Sequence, residues 1–347
     1  MSKLTMQEIA NIAGVSLATV SRTIHSPHLV SPKTRQHVLG VIEEHEYVYN
    51  ATAGDLSRKK STVIGVTIPT TKNPVFAGSA LAIQELAQEK GFSIILGNTK
   101  YDSAIERSLL QKFQERRMAG IILTGYTLGQ EKVVRNLAES GIPTLIIWEK
   151  PSDGFSFVGF DNFKAAYTMT EYLISLKHRR IGLIIGPFTK MGRVKQRFEG
   201  YKAALNAHEI AYDPSLVIEK EPTLGDGREA MGRLLTLPEK PTAVFAASDM
   251  LAIGALAAVK DKGLRVPRDI SLAGFDDIDF AAFCDPPLTT IRVPSHEIGR
   301  LAAKILLDAI ERGYMEIRQY SLDTDLIIRG SCSELETPLS QLEPENV

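Results

Sequence analysis

Cysteine is nearly absent: Cys284 and Cys332 are the two in 347 residues. Two thiols cannot staple a small scaffold, and their scarcity suits a reducing compartment. No apolar run is long enough to span a bilayer, and the first residues lack the basic-then-apolar pattern of an export signal. The expected location is therefore cytoplasmic, with no membrane partner. An excess of charge of one sign is missing too, since 40 Lys and Arg stand against 41 Asp and Glu for a net charge of −1. That excludes a polycation coating nucleic acid indiscriminately but leaves room for a local basic surface. Catalytic groupings are also lacking, with no Ser-His-Asp or Cys-His set that can be placed at one site. His25, His28, His37 and His45 show no metal-like spacing and read as solvated surface positions or phosphate neighbours. No enzyme activity, cofactor or metal site is expected.

What is present begins at Thr5–Thr23, TMQEIANIAGVSLATVSRT. Thr5 followed three residues later by Glu8 is a capping box. Ile9, Ala10, Ile12 and Ala13 make an apolar side, and Gly14 supplies a left-handed stop. Ser16 caps a second helix in which Val20 points inward and Leu17, Ala18, Ser21 and Arg22 are left outside. Two short helices joined by a tight glycine turn form a helix-turn-helix, whose second helix enters the DNA major groove. Ser31-Pro32 starts a third helix, running to about His45, with Val38, Val41 and Ile42 inward and Tyr47 closing the small core. Residues 50–60, NATAGDLSRKK, read alone as a polar linker.

From Val63 onward short β-branched runs alternate with amphipathic stretches, first over VIGVTI, FSIILGN, GIILTG and PTLIIW. A second series starts near Ser156 with FVGFD and continues through RIGLIIG, LVIEK, TAVFAAS and DISLAGFD. That alternation means parallel sheets covered by helices, here in two similar lobes. Ligands of such sheets bind beyond the carboxyl ends of the strands, so strand-end residues are the candidates for function. The first strand end offers Thr71, Asn73 and Phe76 and no Gly-x-Gly-x-x-Gly fingerprint, which suits a polyol or sugar rather than a dinucleotide. Asn73 suits a loop cap equally well. Later strand ends bring Tyr126, Trp148 and Glu149. Trp148, the single tryptophan, fits either stacking on a ligand or hinge-side core. Asp161 is either a ligand group or, more simply, the cap of the next helix. Lys190, Arg193 and Arg197 sit on or beside one loop, and arginine grips carboxylates or vicinal hydroxyls with a planar fork. Ser248 and Asp276 end the last two strands, while Asp249 reads as a helix cap.

The helix-turn-helix, the linker and the two-lobed series together closely resemble the lactose-repressor (LacI/GalR) family over nearly the whole chain, failing at the last dozen or so residues. The resemblance implies an all-α helix-turn-helix head joined to an α/β, two-lobed periplasmic-binding-protein-like sensor with doubly wound parallel sheets. It divides the chain into a DNA-binding head (1–49), a hinge (50–60), a sensor (61–333) and a tail (334–347). Within the sensor, one subdomain takes about 61–158 and 292–320, and the other about 159–288 and 321–333. It implies double-stranded operator DNA, a small-molecule effector and a second copy of the chain in a homodimer as partners. The DNA-facing set is then Thr5, Ser16, Leu17, Ala18, Thr19, Ser21 and Arg22, extended through the hinge by Asn50, Ala53 and Leu56. Leu56 falls where a minor-groove wedge is expected. Arg197, in the frame Arg-Phe-x-Gly-Tyr, matches the family's effector-reaching arginine, and Asp276 its effector-binding aspartate.

Departures from the family pattern fall at Gly54 and Asp55 in the hinge, at Trp148 where an aspartate is common, and at Ser248 where an amide is usual. Leu335, Leu339 and Leu342 are interrupted by Pro338 and Pro344, too little for a coiled coil, so no tetramer through the tail is expected. The stretch GFDNFKAAYTMTEYLISLKHRRI is similar to the gluconate-repressor branch. With Lys190, Arg193 and Arg197 together, it makes a gluconate-like sugar acid the expected effector. The expected function is repression of carbohydrate or sugar-acid catabolism genes.

Overall fold

The computed structural model describes residues 4–49, 61–151 and 154–335. The chain separates into two compact units, one up to Ser61 and one from Thr62. The first contains α1 (Met6–Ile12), α2 (Leu17–His25) and α3 (Pro32–Glu44). Each helix starts on a side-chain cap. Thr5 and Glu8 close the capping box in both directions, Ser16 accepts from the Thr19 amide, and Ser31 accepts from Thr34 with Pro32 at the first helical position. The two bonds from Thr5 hold the Glu8 carboxyl below its ordinary pKa. Gly14 turns the chain at φ +64° with open space where a Cβ would be. Ile9, Ala10, Ala13, Val20, Val38 and Val41 form the core, with Tyr47 packed against it. Ile12, expected on the inner side, is 47% exposed, because at about 100° per residue it stands off the stripe that Ile9, Ala10 and Ala13 turn inward.

The second unit holds two parallel sheets. Its first lobe contains β1 (Val63–Ile68), α4 (Val75–Glu89), β2 (Ser93–Asn98), α5 (Ser103–Glu115), β3 (Gly120–Thr124), α6 (Glu131–Glu139), β4 (Thr144–Ile147) and β5 (Ser156–Phe160). The second lobe follows with α7 (Asn162–Ser175), β6 (Ile181–Ile185), α8 (Gly192–Ala207), β7 (Val217–Glu219), α9 (Leu224–Leu234), β8 (Ala243–Ala246), α10 (Asp249–Asp261) and β9 (Ser271–Ala273). The chain ends through β10 (Thr290–Arg292), α11 (Ser295–Arg312), β11 (Gln319–Leu322) and β12 (Asp325–Ile327). The six-stranded sheet runs β11-β5-β4-β3-β1-β2 and the four-stranded sheet β7-β6-β8-β9, every neighbour parallel.

The strand at 156–160 corrects the sequence reading. It pairs with β4, Ile146 beside Phe157, and so completes the first sheet instead of opening the second. The chain changes lobe after Phe160, and again around β10 and after β11, where β12 turns back to pair antiparallel with β10. Three crossings leave the strand ends of both sheets facing one cleft. Among the described residues no helix is long and apolar enough to cross a membrane.

Candidate functional site

In the head, Leu17, Ala18 and Arg22 are exposed on α2, with Thr19 and Ser21 half-buried beside them. Thr5 and Ser16 are exposed and spend their hydroxyls on caps, Ser16 also meeting the Thr19 hydroxyl at 2.9 Å. Asn50, Ala53 and Leu56 lie outside the described residues. His37 is no bystander: its Nε2–H donates to the Ala13 carbonyl at 3.0 Å, tying α3 to the turn between α1 and α2.

In the two-lobed unit, backbone strain marks the site. Across both units nine described non-glycine residues have positive φ, one of them, Glu46, in the head. Glu46, Arg117, Lys177 and Glu209 follow helix C-caps, where a left-handed residue is ordinary. The other five, Lys100, Tyr101, Trp148, Asp276 and Asp277, follow strand ends at the cleft. For bulky Tyr101 (+56°) and Trp148 (+74°) this conformation is costly, and such strain gathers where function needs it.

Asp276 is the centre of the inner cluster. Its carboxylate accepts from the Asn73 amide at 3.1 Å, across the lobes, and from the Ser248 hydroxyl at 3.2 Å. Arg197 is buried on α8. Its Nε donates to Asn162 Oδ1 at 2.9 Å and its Nη1 to the Ala247 carbonyl at 3.0 Å, while its guanidinium lies 3.7 Å from the Phe275 ring centroid. Burial lowers its pKa to about 10, so it stays charged near neutrality. Gly200 gives α8 its seat, since a Cβ there would lie 2.3 Å from the Phe163 carbonyl of α7. The glycine of the Arg-Phe-x-Gly-Tyr frame therefore positions the arginine one turn earlier. Trp148 is core and lining at once: its Nε1 donates to Ser79 at 3.3 Å, it packs edge-on to Phe76, and both rings border a cavity of about 30 Å³.

A second contact latches the lobes. Glu149, after β4, lies 3.8 Å from Arg193 Nη1 and accepts from the Arg193 amide at 3.4 Å; Arg193 also donates to the Thr124 carbonyl at 3.1 Å. Burial pushes the Glu149 carboxyl up to about 7 despite the arginine. Burial also raises Asp276, Asp249 and Glu106.

Other expected ligand groups stand elsewhere. Lys190 and Thr71 are exposed. Asp161 is exposed and caps α7 through the Lys164 amide, while its neighbour Asn162 turns inward to hold both Arg197 and the Trp148 carbonyl. Tyr126 is buried in the cluster with Val134 and Leu137. Asp249 does not cap α10; its carboxylate accepts from Thr290 Oγ1 at 2.6 Å and the Ile278 amide at 2.9 Å, because it is directed into the loop after β9. Sequence reasoning passed over Asn162, Glu106 and Tyr101. Tyr101 follows the end of β2 and lines the cavity.

The raised carboxyls give stability a sign. Unfolded, these groups release protons near pH 4. Folded, Glu149 keeps its proton to about 7, and Asp276 and Asp249 are held above the usual range. The folded chain thus binds more protons over that window, and stability should fall as pH rises from about 4.5 to about 7.5, then level off. Urea unfolding followed by Trp148 fluorescence at stepped pH measures it; a stability that rises steadily over that window contradicts the assignment.

Family models match the chain at residues 5–50, bacterial regulatory proteins of the lacI family, and at 170–332, a periplasmic binding protein-like domain. The transcriptional repressor CytR of Escherichia coli K12 is 35% identical over 333 residues, covering 95% of this chain and 97% of CytR. A crystal structure of the lac repressor dimer bound to operator and the anti-inducer ONPF matches with TM-score 0.84 at 26% identity, covering 96% of this chain and all of that one. A complex of the transcriptional regulator CelR with cellobiose matches with TM-score 0.70 at 30% identity, covering 95% and 100%. Head, two-lobed sensor and strained inter-lobe cleft together place this chain in the LacI family of ligand-responsive, DNA-binding transcriptional repressors.

Proposed function

We propose that the chain binds a near-palindromic operator as a homodimer and that a sugar-sized polyhydroxyl effector, seated on Asp276, Asn73, Ser248 and Arg197, governs that binding at genes of carbohydrate catabolism. The carrying observation is the inner cluster itself, a buried carboxylate, amide, hydroxyl and guanidinium drawn from both lobes. Such a set accepts from and donates to vicinal hydroxyls, and its bridge between lobes couples occupancy to lobe geometry. The inner charges are balanced, Arg193 by Glu149 and Arg197 by Asp276, and Lys190 is exposed; this supports a neutral polyol at the inner seat over a carboxylate on Arg197. The CelR structure, with its cellobiose, fits that chemistry. In the head, Leu17, Ala18 and Arg22 would meet base edges.

The test joins both halves. Arg22→Ala should weaken operator binding by about 1–3 kcal/mol and relax preference at one base pair per half-site. Asp276→Asn should abolish effector binding in calorimetry and leave operator binding insensitive to the effector. Unchanged base preference, or effector binding undiminished in Asp276→Asn, refutes the corresponding half.

A further inference from the structure

The cleft has a second chamber that the inner cluster does not use. It measures about 350 Å³, against about 30 Å³ for the inner cavity. Tyr101, from the lobe of β2, and Pro222, from the lobe of β7, line both chambers and form the partition between them. The partition is deliberately held. Lys100 and Tyr101 are consecutive left-handed residues, at φ +54° and +56°, and the Lys100 amide donates to Asn98 Oδ1 at 3.0 Å to fix the turn. Strain of this kind persists only where the surroundings enforce it.

The chemistry of the two chambers differs. Inside, each cation faces a carboxylate. Outside, Lys72 and Lys100 line the chamber with Thr70 and Thr71, the Thr223 hydroxyl there is spent on capping α9 through Asp226, and the one carboxylate in the lining is Glu221. Burial raises the Glu221 pKa, with Asp226 and Glu219 opposing its charge and Lys190 and Lys72 favouring it. Of the groups that line the chamber, Lys72 and Lys100 against Glu221 leave it one positive charge in surplus. Of the positive charge expected beside Arg197, Lys190 is exposed and Arg193 stays buried against Glu149. A volume of 350 Å³ admits a group the size of a phosphate or carboxylate with its carbon.

We propose that the outer chamber is a second subsite, which takes the anionic end, phosphate or carboxylate, of an effector whose polyhydroxyl end occupies the inner cluster. The proposal rests on the effector reading above and extends it from a polyol to a polyol bearing a terminal anion. Ammonium groups and hydroxyls suit phosphate and carboxylate oxygens alike.

The experiment uses the full chain and matched probes: ribose with ribose 5-phosphate, glucose with glucose 6-phosphate, and glucose with gluconate. Calorimetry should give at least one pair whose anionic member binds tenfold or more tighter than its neutral partner in low salt. That ratio should shrink as salt rises and fall to about one in Lys72→Gln/Lys100→Gln. A ratio near one in the unmodified chain overturns the subsite, as does a tenfold ratio that survives the double variant. The inner reading is scored separately by Asp276→Asn, which should remove binding of both members of a pair. Binding by no member of any pair overturns both readings together.

Discussion

Glu149→Ala should destabilise the two-lobed unit by about 3–5 kcal/mol at pH 8, the usual loss when one partner of a buried ion pair is removed. Two effects compete. Burial alone disfavours the Glu149 charge, enough to raise its pKa to about 7. Against that, Arg193 is 3% exposed in its side chain and, without Glu149, would keep a single carbonyl acceptor and the face of the Phe76 ring. At pH 8 the carboxylate is ionised and the arginine's loss dominates. Folded Glu149 holds its proton to about 7, so its contribution to stability is greatest below that pH, and the same substitution should cost more at pH 5.5 than at pH 8. Space does not rescue the arginine: a Cβ on Gly125 would lie 2.4 Å from its Nη1, and one on Gly192 2.8 Å from Glu149 Oε1, so the pair is wedged between two backbones. Trp148 fluorescence is the readout, since the single tryptophan is buried in this unit. Adding Arg193→Met should recover most of the loss. A cost below about 1 kcal/mol at pH 8, or one independent of pH, would show that the latch is not electrostatic.

The periodic features were legible from sequence because they are local. The capping box of Thr5 and Glu8, the Ser16 and Ser31 caps and the strand–helix alternation rest on contacts within a few residues, and the chain realises them. Sheet membership was not legible. β5 has the same short apolar character as the strands on either side, and what decides its sheet is pairing with β4 across a loop, a long-range choice. At the site, the strand-end rule pointed to Asn73, Trp148, Glu149, Ser248 and Asp276, which the fold brings to one cleft. It erred by one residue at Asp161 and Asn162, because which of two neighbours caps and which turns inward depends on the phase of α7 against Arg197. Charge was the least legible quantity. Lys190, Arg193 and Arg197 are close in sequence, yet one is solvated, one is neutralised by the opposite lobe and one is buried on an aromatic face.

Gly254→Val should cost about 4 kcal/mol or more, at the upper end for overpacking, because the obstacle is backbone. On α10, a Cβ at Gly254 would stand 2.0 Å from the Leu224 carbonyl oxygen at the start of α9. Gly227 on α9 mirrors it, its Cβ 2.2 Å from the Leu251 carbonyl of α10. The two helices therefore meet backbone to backbone. The same device recurs where Gly200 meets Phe163 between α8 and α7, and where Gly299 meets Ser79 between α11 and α4. Relief would require the α9–α10 pair to part by roughly 1 Å, since carbon and oxygen rarely approach closer than van der Waals contact. That would pull Leu251, Ala255 and Met231 away from a fully buried cluster. A control on the partner helix, α9, separates packing from helix propensity. Gly232 has no atom within 4 Å of its Cβ position, so Gly232→Ala should stabilise by about 0.5–1 kcal/mol. Urea midpoints from Trp148 fluorescence would compare the two. If Gly254→Val and Gly232→Ala shift the midpoint alike, the close helix crossing is not what those glycines provide.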